Sequence, residues 1–207
     1  MATTSTKRRG PYAKTAALQV KILETCLELF GETGFHNLTM ADVAQRAGIS
    51  HTGLLHHFPS KEVLLSRVLQ LKDERTRQFF RDRGVDVLTL PEDSREIRAL
   101  LQAVVANDLQ PGLIELNSTL AAEASSTDHP AHEYYQIRYS TVIGLYSQAF
   151  AALAKRGELK TDTEPGDLAA MFVALTDGLQ IQWLYDRDTA KLEKRASQFL
   201  SSVISDF

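Results

Sequence analysis

The chain has 207 residues, of which 43% are hydrophobic and 24% are charged, and its formal net charge at pH 7 is −3. This length can bury one large hydrophobic core or two small ones. No apolar run approaches the ~20 residues that a membrane span needs, and the polar start lacks the apolar segment of a secretion signal. The single cysteine, Cys26, excludes a disulfide within the chain and is expected to be a buried thiol. We therefore expect a soluble, cytoplasmic protein with no membrane partner.

The charge is divided unevenly along the chain. Residues 1–90 contain 13 Lys and Arg against 9 Asp and Glu, whereas residues 91–207 contain 10 against 17. The first 14 residues carry basic side chains and no acidic ones: Lys7, Arg8, Arg9 and Lys14. We predict that residues 1–14 form a flexible basic arm, which either contacts DNA phosphates and the minor groove or is only a solubilising tail.

The segment from Thr15 to Phe30 predicts the first helix. Its apolar residues recur at helical spacing and form one wide face. These residues are Leu18, Ile22, Leu23, Cys26, Leu27, Leu29 and Phe30. Gly31 and Gly34 follow, and glycine commonly ends a helix.

Two short helices joined by a glycine turn are predicted next. Thr39 is suited to cap the first of them, and Asp42, three residues on, favours a helix start at this point. Gly48 ends that helix because glycine tolerates the left-handed backbone conformation. Ser50 caps the second short helix, which ends before Pro59.

The second short helix has two different faces. Leu54 and Phe58 are four residues apart and would both be buried. The opposite face carries His51, Thr52, Leu55 and His56. Helices this short need support from the first helix, because isolated helices below about 12 residues are marginal in water. Residues 15–60 are therefore predicted to form a three-helix head of the helix-turn-helix type, which binds DNA.

These residues resemble the tetracycline-repressor (TetR) family of bacterial transcription regulators. The resemblance covers roughly residues 15–65 and is carried by Gly34-Phe35, Leu38-Thr39, Val43-Ala44, Ala47-Gly48-Ile49-Ser50 and Phe58-Pro59-Ser60-Lys61-Glu62. One departure is the middle of the second short helix, where the family often has Thr-Leu-Tyr and this chain has Gly53-Leu54-Leu55. The resemblance implies a repressor that a small-molecule effector releases from a palindromic double-stranded DNA operator. The alternatives are an activator, or a regulator controlled by a protein partner and lacking a small-molecule pocket.

The residues expected to contact DNA divide by chemistry. Phosphate contacts are predicted for Thr39, Thr52, His56 and Lys61. Base-edge contacts are predicted for His51, Thr52, Gly53 and Leu55. Ser50 and His57 complete the predicted surface, with His57 expected to pack against its neighbours. Gly53 either lets the helix backbone approach DNA closely or is a tolerated surface glycine.

The remainder of the chain predicts helix after helix and therefore an all-α fold. A helix that is capped by Ser60 and runs to about Asp82 is followed by a loop over residues 84–92. Later helices are predicted from Ser94 to Leu109, Pro111 to Ser126, Pro130 to Gly157, Pro165 to Tyr185 and Thr189 to Asp206, with Ser94 as the N-cap of the first. The predicted organisation is thus an arm (1–14), a DNA-binding head (15–60), a linking helix (61–83) and a helical effector-binding and dimerisation domain (84–207).

The last helix has a continuous apolar stripe. Its members lie three or four residues apart: Leu192, Ala196, Phe199, Leu200, Val203, Ile204 and Phe207. The resemblance implies that the last two helices pair with those of a second subunit in a homodimer. The alternative is that this stripe packs within its own chain.

Polar and aromatic residues interrupt the apolar faces of the middle helices. Such residues can orient a ligand in a largely apolar pocket, and they are also common in cores and interfaces. The candidates are Asn117, Tyr139, Tyr146, Asp177, Gln180 and Trp183. We expect an unidentified, largely apolar effector.

No metal, cofactor or enzymatic activity is expected. His51, His56 and His57 lack the i, i+3 or i, i+4 spacing of helical metal ligands. His129 and His132 have that spacing, but they also fit a surface helix start. No nucleophile elbow, P-loop or dinucleotide fingerprint is present in the sequence.

Overall fold

The computed structural model describes residues 11–87, 93–105, 111–187 and 192–207. Its helices are α1 (Pro11–Asn37), α2 (Met40–Ala47), α3 (His51–His57), α4 (Lys61–Arg81), α5 (Ser94–Val105), α6 (Pro111–Glu123), α7 (His132–Lys155), α8 (Pro165–Tyr185) and α9 (Leu192–Val203). Within these ranges the only β-type pairing is an isolated bridge between Leu159 and Ile204. The predicted all-α fold is confirmed. None of the described helices combines the length and the apolar character that crossing a bilayer requires.

Helix α1 is longer than the sequence indicated. It begins at Pro11 rather than Thr15 and continues past Gly31 to Asn37, with non-helical backbone at Gly34. A Cβ on Gly31 would lie 3.1 Å from Glu115 Cβ, so this glycine serves the close approach of α1 and α6 rather than ending the helix. The corner comes at Gly34, whose φ of 76° favours glycine.

Other helix ends differ by a few residues. Ser94 does not cap α5, because the Asp93 carboxylate accepts the Glu96 N–H at 2.8 Å and the Ser94 hydroxyl instead bonds to Glu158. Helix α7 begins two residues after Pro130, and α9 ends before Ile204. The predicted termini at Leu109 and Thr189, and most of the loop over 84–92, lie outside the described residues.

The first hydrophobic core joins the head to later parts of the chain. Ile22 of α1, Val43 of α2 and Leu54 of α3 share it with Leu116 of α6 and Tyr135 of α7. Cys26 lies in the same core, and burial raises the pKa of its thiol to about 12. Helix α6 therefore packs directly against the helices of the head.

The second core contains residues from the end of α4, α5, α7, α8 and α9. Phe150 and Phe172 are fully buried there, and their rings meet nearly at right angles. The apolar stripe of α9 contributes Ala196, Leu200 and Ile204. The stripe is thus buried within its own chain. The sequence left this open as the alternative to the dimer role that the family resemblance implied.

Candidate nucleic-acid interface and internal cleft

Helix α2 is held at both ends by the predicted caps. The Thr39 hydroxyl accepts the Asp42 N–H at 3.2 Å, and the Asp42 carboxylate accepts the Thr39 N–H at 3.0 Å. The hydrogen bond from the Thr39 hydroxyl also lowers the pKa of Asp42. At the other end Gly48 is left-handed, and its N–H donates to the carbonyls of Ala44 and Gln45. These local bonds fix the turn between α2 and α3.

Helix α3 is anchored by its inner face and leaves its outer face in solvent. Leu54 is fully buried and Phe58 is 3% exposed. The outward residues are His51, Thr52, Leu55 and His56, all of them exposed. His57 is half-buried, with its ring 5.6 Å from that of His56, in keeping with the packing role expected for it. An outer face of this kind, on a rigidly held short helix, can enter a major groove.

Gly53 lies in the first turn of α3. Its N–H donates to the Ser50 hydroxyl at 3.0 Å, which confirms Ser50 as the N-cap. A Cβ on Gly53 would come within 3.0 Å of the same oxygen. The geometry of the cap therefore favours glycine at this position. This is a third explanation for Gly53, beside a close approach to DNA and a tolerated surface glycine.

The corner between α1 and α2 is clamped by Lys61. Its ammonium donates to the carbonyls of Phe35 at 2.8 Å and Leu38 at 2.9 Å. It also lies 4.3 Å from the centre of the Phe35 ring. Two of the three ammonium donors therefore hold the corner, and the phosphate contact expected for Lys61 stays a prediction that rests on the third.

A second clamp on this corner comes from the end of α6. The Glu123 carboxylate accepts the Phe35 N–H at 2.6 Å. A Cβ on Gly34 would lie 2.8 Å from the carboxyl carbon of Glu123, so only glycine leaves room for this carboxylate. No local pattern marks Glu123 as a functional residue, because its partner is 88 residues away.

His129 completes the packing around the corner. The side chain is buried, its ring lies edge-on to Phe35 at 5.0 Å, and its Nδ1 accepts the Ala131 N–H. Burial lowers the pKa of His129 and favours the neutral imidazole. His132 is also engaged, with Nδ1 2.8 Å from the Ala124 carbonyl oxygen. Within the described ranges, no group of three or more His, Cys, Asp or Glu is arranged to hold a metal.

A cleft of about 230 Å³ lies between α6, α7 and α8. Its lining residues are Asn117, Ser118, Ala121, Ala122, Tyr139, Asp177, Gln180 and Ile181. Four of the six predicted ligand residues are among them. The Tyr139 hydroxyl donates to the Asp177 carboxylate at 2.9 Å and joins α7 to α8 at the cleft.

The other two predicted ligand residues have different surroundings. Tyr146 is buried in the second core, with its ring 5.3 Å from that of Phe172. Trp183 is half-buried, and the Arg187 guanidinium lies 4.9 Å from its ring centre. Neither lines the cleft. The four small or apolar lining residues were not predicted, although Ser118, Ala121 and Ala122 follow Asn117 on α6 at spacings of one, four and five residues.

The basic arm is only partly described. Lys14 is exposed in the first turns of α1, whereas Lys7, Arg8 and Arg9 lie outside the described residues.

Two family models match the chain. One is described as bacterial regulatory proteins of the tetR family and matches residues 22–68. The other is described as the C-terminal part of BetI-type transcriptional repressors and matches residues 94–206. The chain belongs to the TetR family. It is a DNA-binding transcriptional repressor and not an enzyme.

TetR-family relatives span almost the whole chain. The transcriptional repressor KstR2 of Rhodococcus jostii is 24% identical over 193 residues, which cover 90% of this chain and 89% of KstR2. A transcriptional regulator from Saccharomonospora viridis, solved in complex with choline, has a TM-score of 0.73 at 20% identity and covers 92% of this chain and 99% of its own. The triclosan complex of SmeT, a repressor from Stenotrophomonas maltophilia, has a TM-score of 0.70 at 16% identity, with 92% and 93% covered.

Proposed function

We propose that two copies of this TetR-family chain bind a palindromic operator and that a small molecule in the α6–α7–α8 cleft releases them. The observation that carries this proposal is the position of α6, because one helix lines the cleft and packs in the hydrophobic core of the head. A change in the cleft therefore has a direct physical route to the DNA-binding surface. The complexes of structural neighbours with choline and with triclosan support a small-molecule effector.

The outer face of α3 is the surface proposed to read the operator. His51 and Thr52 can hydrogen-bond to base edges, and Leu55 can contact a thymine methyl group. His56 and Thr39 lie at the margins of this exposed surface and are suited to phosphate oxygens. Lys14 and the arm before it would add phosphate contacts.

The exposed face of α8 is the proposed dimer interface. Met171, Ile181 and Tyr185 are 55%, 46% and 90% exposed, which is unusual for apolar and aromatic side chains of this size. Ala174 and Gly178 fall between them and complete a stripe at alternating spacings of three and four residues. The small residues would allow close approach of the same helix from a second copy. Two heads in a dimer would meet half-sites about 34–36 Å apart, or a multiple of that distance.

Helix α6 is the proposed connection between cleft and head. At its middle, the Thr119 hydroxyl donates to the Gly31 carbonyl at 3.1 Å. At its end, Glu123 holds the α1–α2 corner through the Phe35 N–H. Ser118, Ala121 and Ala122 of the same helix line the cleft. An effector that shifts α6 would therefore move the corner from which α2 and α3 extend. Such an effector must bind the DNA-free state more tightly, typically by about 1–3 kcal/mol.

The test fills the cleft without any ligand. In Ala121→Trp an indole occupies part of the cleft, and we expect its operator affinity to fall at least about tenfold, as for an effector-bound state. The control is Ala154→Trp, at an exposed position of α7 that does not line the cleft. Operator affinity is measured by fluorescence anisotropy on proteins whose folding has been checked by circular dichroism. Equal affinities of the two folded variants would contradict the proposed coupling.

A further inference from the structure

The polar groups of the cleft constrain the chemistry of its ligand. Asp177 supplies the only charged side chain among the eight lining residues. Its carboxylate accepts one hydrogen bond, from Tyr139, and no Lys or Arg of the described residues lies within ion-pair distance of it. Burial raises the pKa of Asp177, and the hydrogen bond from Tyr139 and the charges of Arg138 and Lys72 only partly oppose this effect. The carboxylate thus lacks a direct counterion.

Asn117 provides a second unused acceptor on the facing helix. The residue is 8% exposed, and its Oδ1 atom has no hydrogen-bond partner. A buried acceptor without a partner costs about 1–3 kcal/mol, and a ligand donor could recover this free energy. This oxygen is closed off from solvent in the structure, but both residues line the cleft, so a rotation of the Asn117 side chain would let one group between α6 and α8 contact both.

The size and the remaining lining indicate a small ligand with an apolar part. The cleft of about 230 Å³ lies below the roughly 300–1,000 Å³ of most drug-sized sites. Ala121, Ala122 and Ile181 supply apolar surface beside the two acceptors. A carboxylate ligand would be repelled by Asp177, and a neutral hydrocarbon would leave Asp177 without a counterion and the Asn117 oxygen without a donor.

We propose that the effector is a small protonated amine. Its ammonium group pairs with Asp177 and donates a hydrogen bond to the Asn117 amide oxygen, while its aliphatic part lies against Ala121, Ala122 and Ile181. The ammonium supplies both the positive charge and the N–H donors that these acceptors lack. This inference rests on the proposed function, in that it takes the cleft as the effector site.

The test compares four probes that share a butyl chain. Butylamine, butyltrimethylammonium, butanoate and 1-butanol are titrated calorimetrically into the full-length protein near pH 7, where the amine is protonated. We expect butylamine to bind with millimolar affinity, because few contacts are available to so small a molecule. Butyltrimethylammonium, which has no N–H, should bind several-fold more weakly. Equal or tighter binding of butanoate or 1-butanol, or no binding of butylamine, would overturn the assignment.

Two variants locate the binding. Asp177→Asn should weaken butylamine at least about tenfold, since a hydrogen bond to a charged partner is lost. Asp167→Asn, an exposed position on the same helix, should leave the affinity unchanged. Unchanged binding to Asp177→Asn would overturn the proposal. The Ala121→Trp operator assay needs no ligand, so a failure of the amine assignment remains distinguishable from a failure of the proposed function.

Discussion

The contact between Glu123 and the Phe35 N–H gives the sharpest quantitative prediction. Its side chain is 21% exposed, and the bond is 2.6 Å long with a charged acceptor. Hydrogen bonds to charged groups contribute about 1.5–3 kcal/mol, and solvent screening of the partly exposed carboxylate places the loss in Glu123→Ala near the lower end. For a chain of this length each kcal/mol shifts Tm by about 2–4 °C. We expect Glu123→Ala to melt about 3–8 °C below the wild type.

The assay is thermal unfolding followed by circular dichroism at one fixed protomer concentration, because a dimer's Tm depends on concentration. Glu133→Ala is the control, since Glu133 is an exposed carboxylate near the start of α7. Equal Tm values for the two variants would refute the reasoning about stability.

A double variant tests whether the signal from the cleft passes through this contact. When it is combined with Glu123→Ala, Ala121→Trp should lose most of its effect on operator affinity. Additive effects would show that the signal does not pass through this contact.

Three further predictions concern the head, a buried lysine and the dimer. Leu54→Asp should unfold the head in a circular dichroism melt. His51→Ala should melt like the wild type and lose about 1–3 kcal/mol of binding free energy at one operator base pair. An equal loss of affinity on all DNA sequences would contradict the role of His51. Burial lowers the pKa of Lys72 to about 7. Between pH 7 and about 10, Lys72 is therefore mostly neutral in the folded state and protonated in the unfolded state. Its contribution to the free energy of unfolding rises with pH across that range. Lys72→Met should be about 1–4 kcal/mol more stable near pH 7 in urea unfolding, with a gain that shrinks towards pH 10; a constant gain would exclude this cause. A Met171→Lys, Tyr185→Lys double variant should sediment as a monomer while Val20→Lys remains dimeric, and an unchanged dimer would remove α8 as the interface.

The head could be predicted from sequence because its signals are local. The N-caps Thr39, Ser50 and Ser60 and the left-handed Gly48 act within four residues of their partners, and the structure confirms all four. The length of α1 could not be obtained in this way. Gly31 resembles a helix end in isolation, and only its contact with α6 explains why it remains helical.

The cleft and the clamps depend on contacts that sequence spacing does not reveal. The partners of Lys61 are 23 and 26 residues away, and the partner of Glu123 is 88 residues away. Spacing along the chain consequently did not indicate that Lys61 holds the α1–α2 corner. The interrupted apolar faces did identify Asn117, Tyr139, Asp177 and Gln180, but the same pattern also selected Tyr146, which belongs to the second core. Only tertiary packing shows whether such a residue lines the cleft or belongs to the second core.

The measurement that tests the central claim most directly is selection of bound sequences from a random DNA duplex pool with the purified full-length protein near physiological salt. A dimer that reads DNA through the outer face of α3 predicts enrichment of a palindrome whose half-sites are about one helical turn, or a multiple of it, apart. Enrichment of a single asymmetric site, or of no sequence at all, would contradict the proposed dimeric operator recognition.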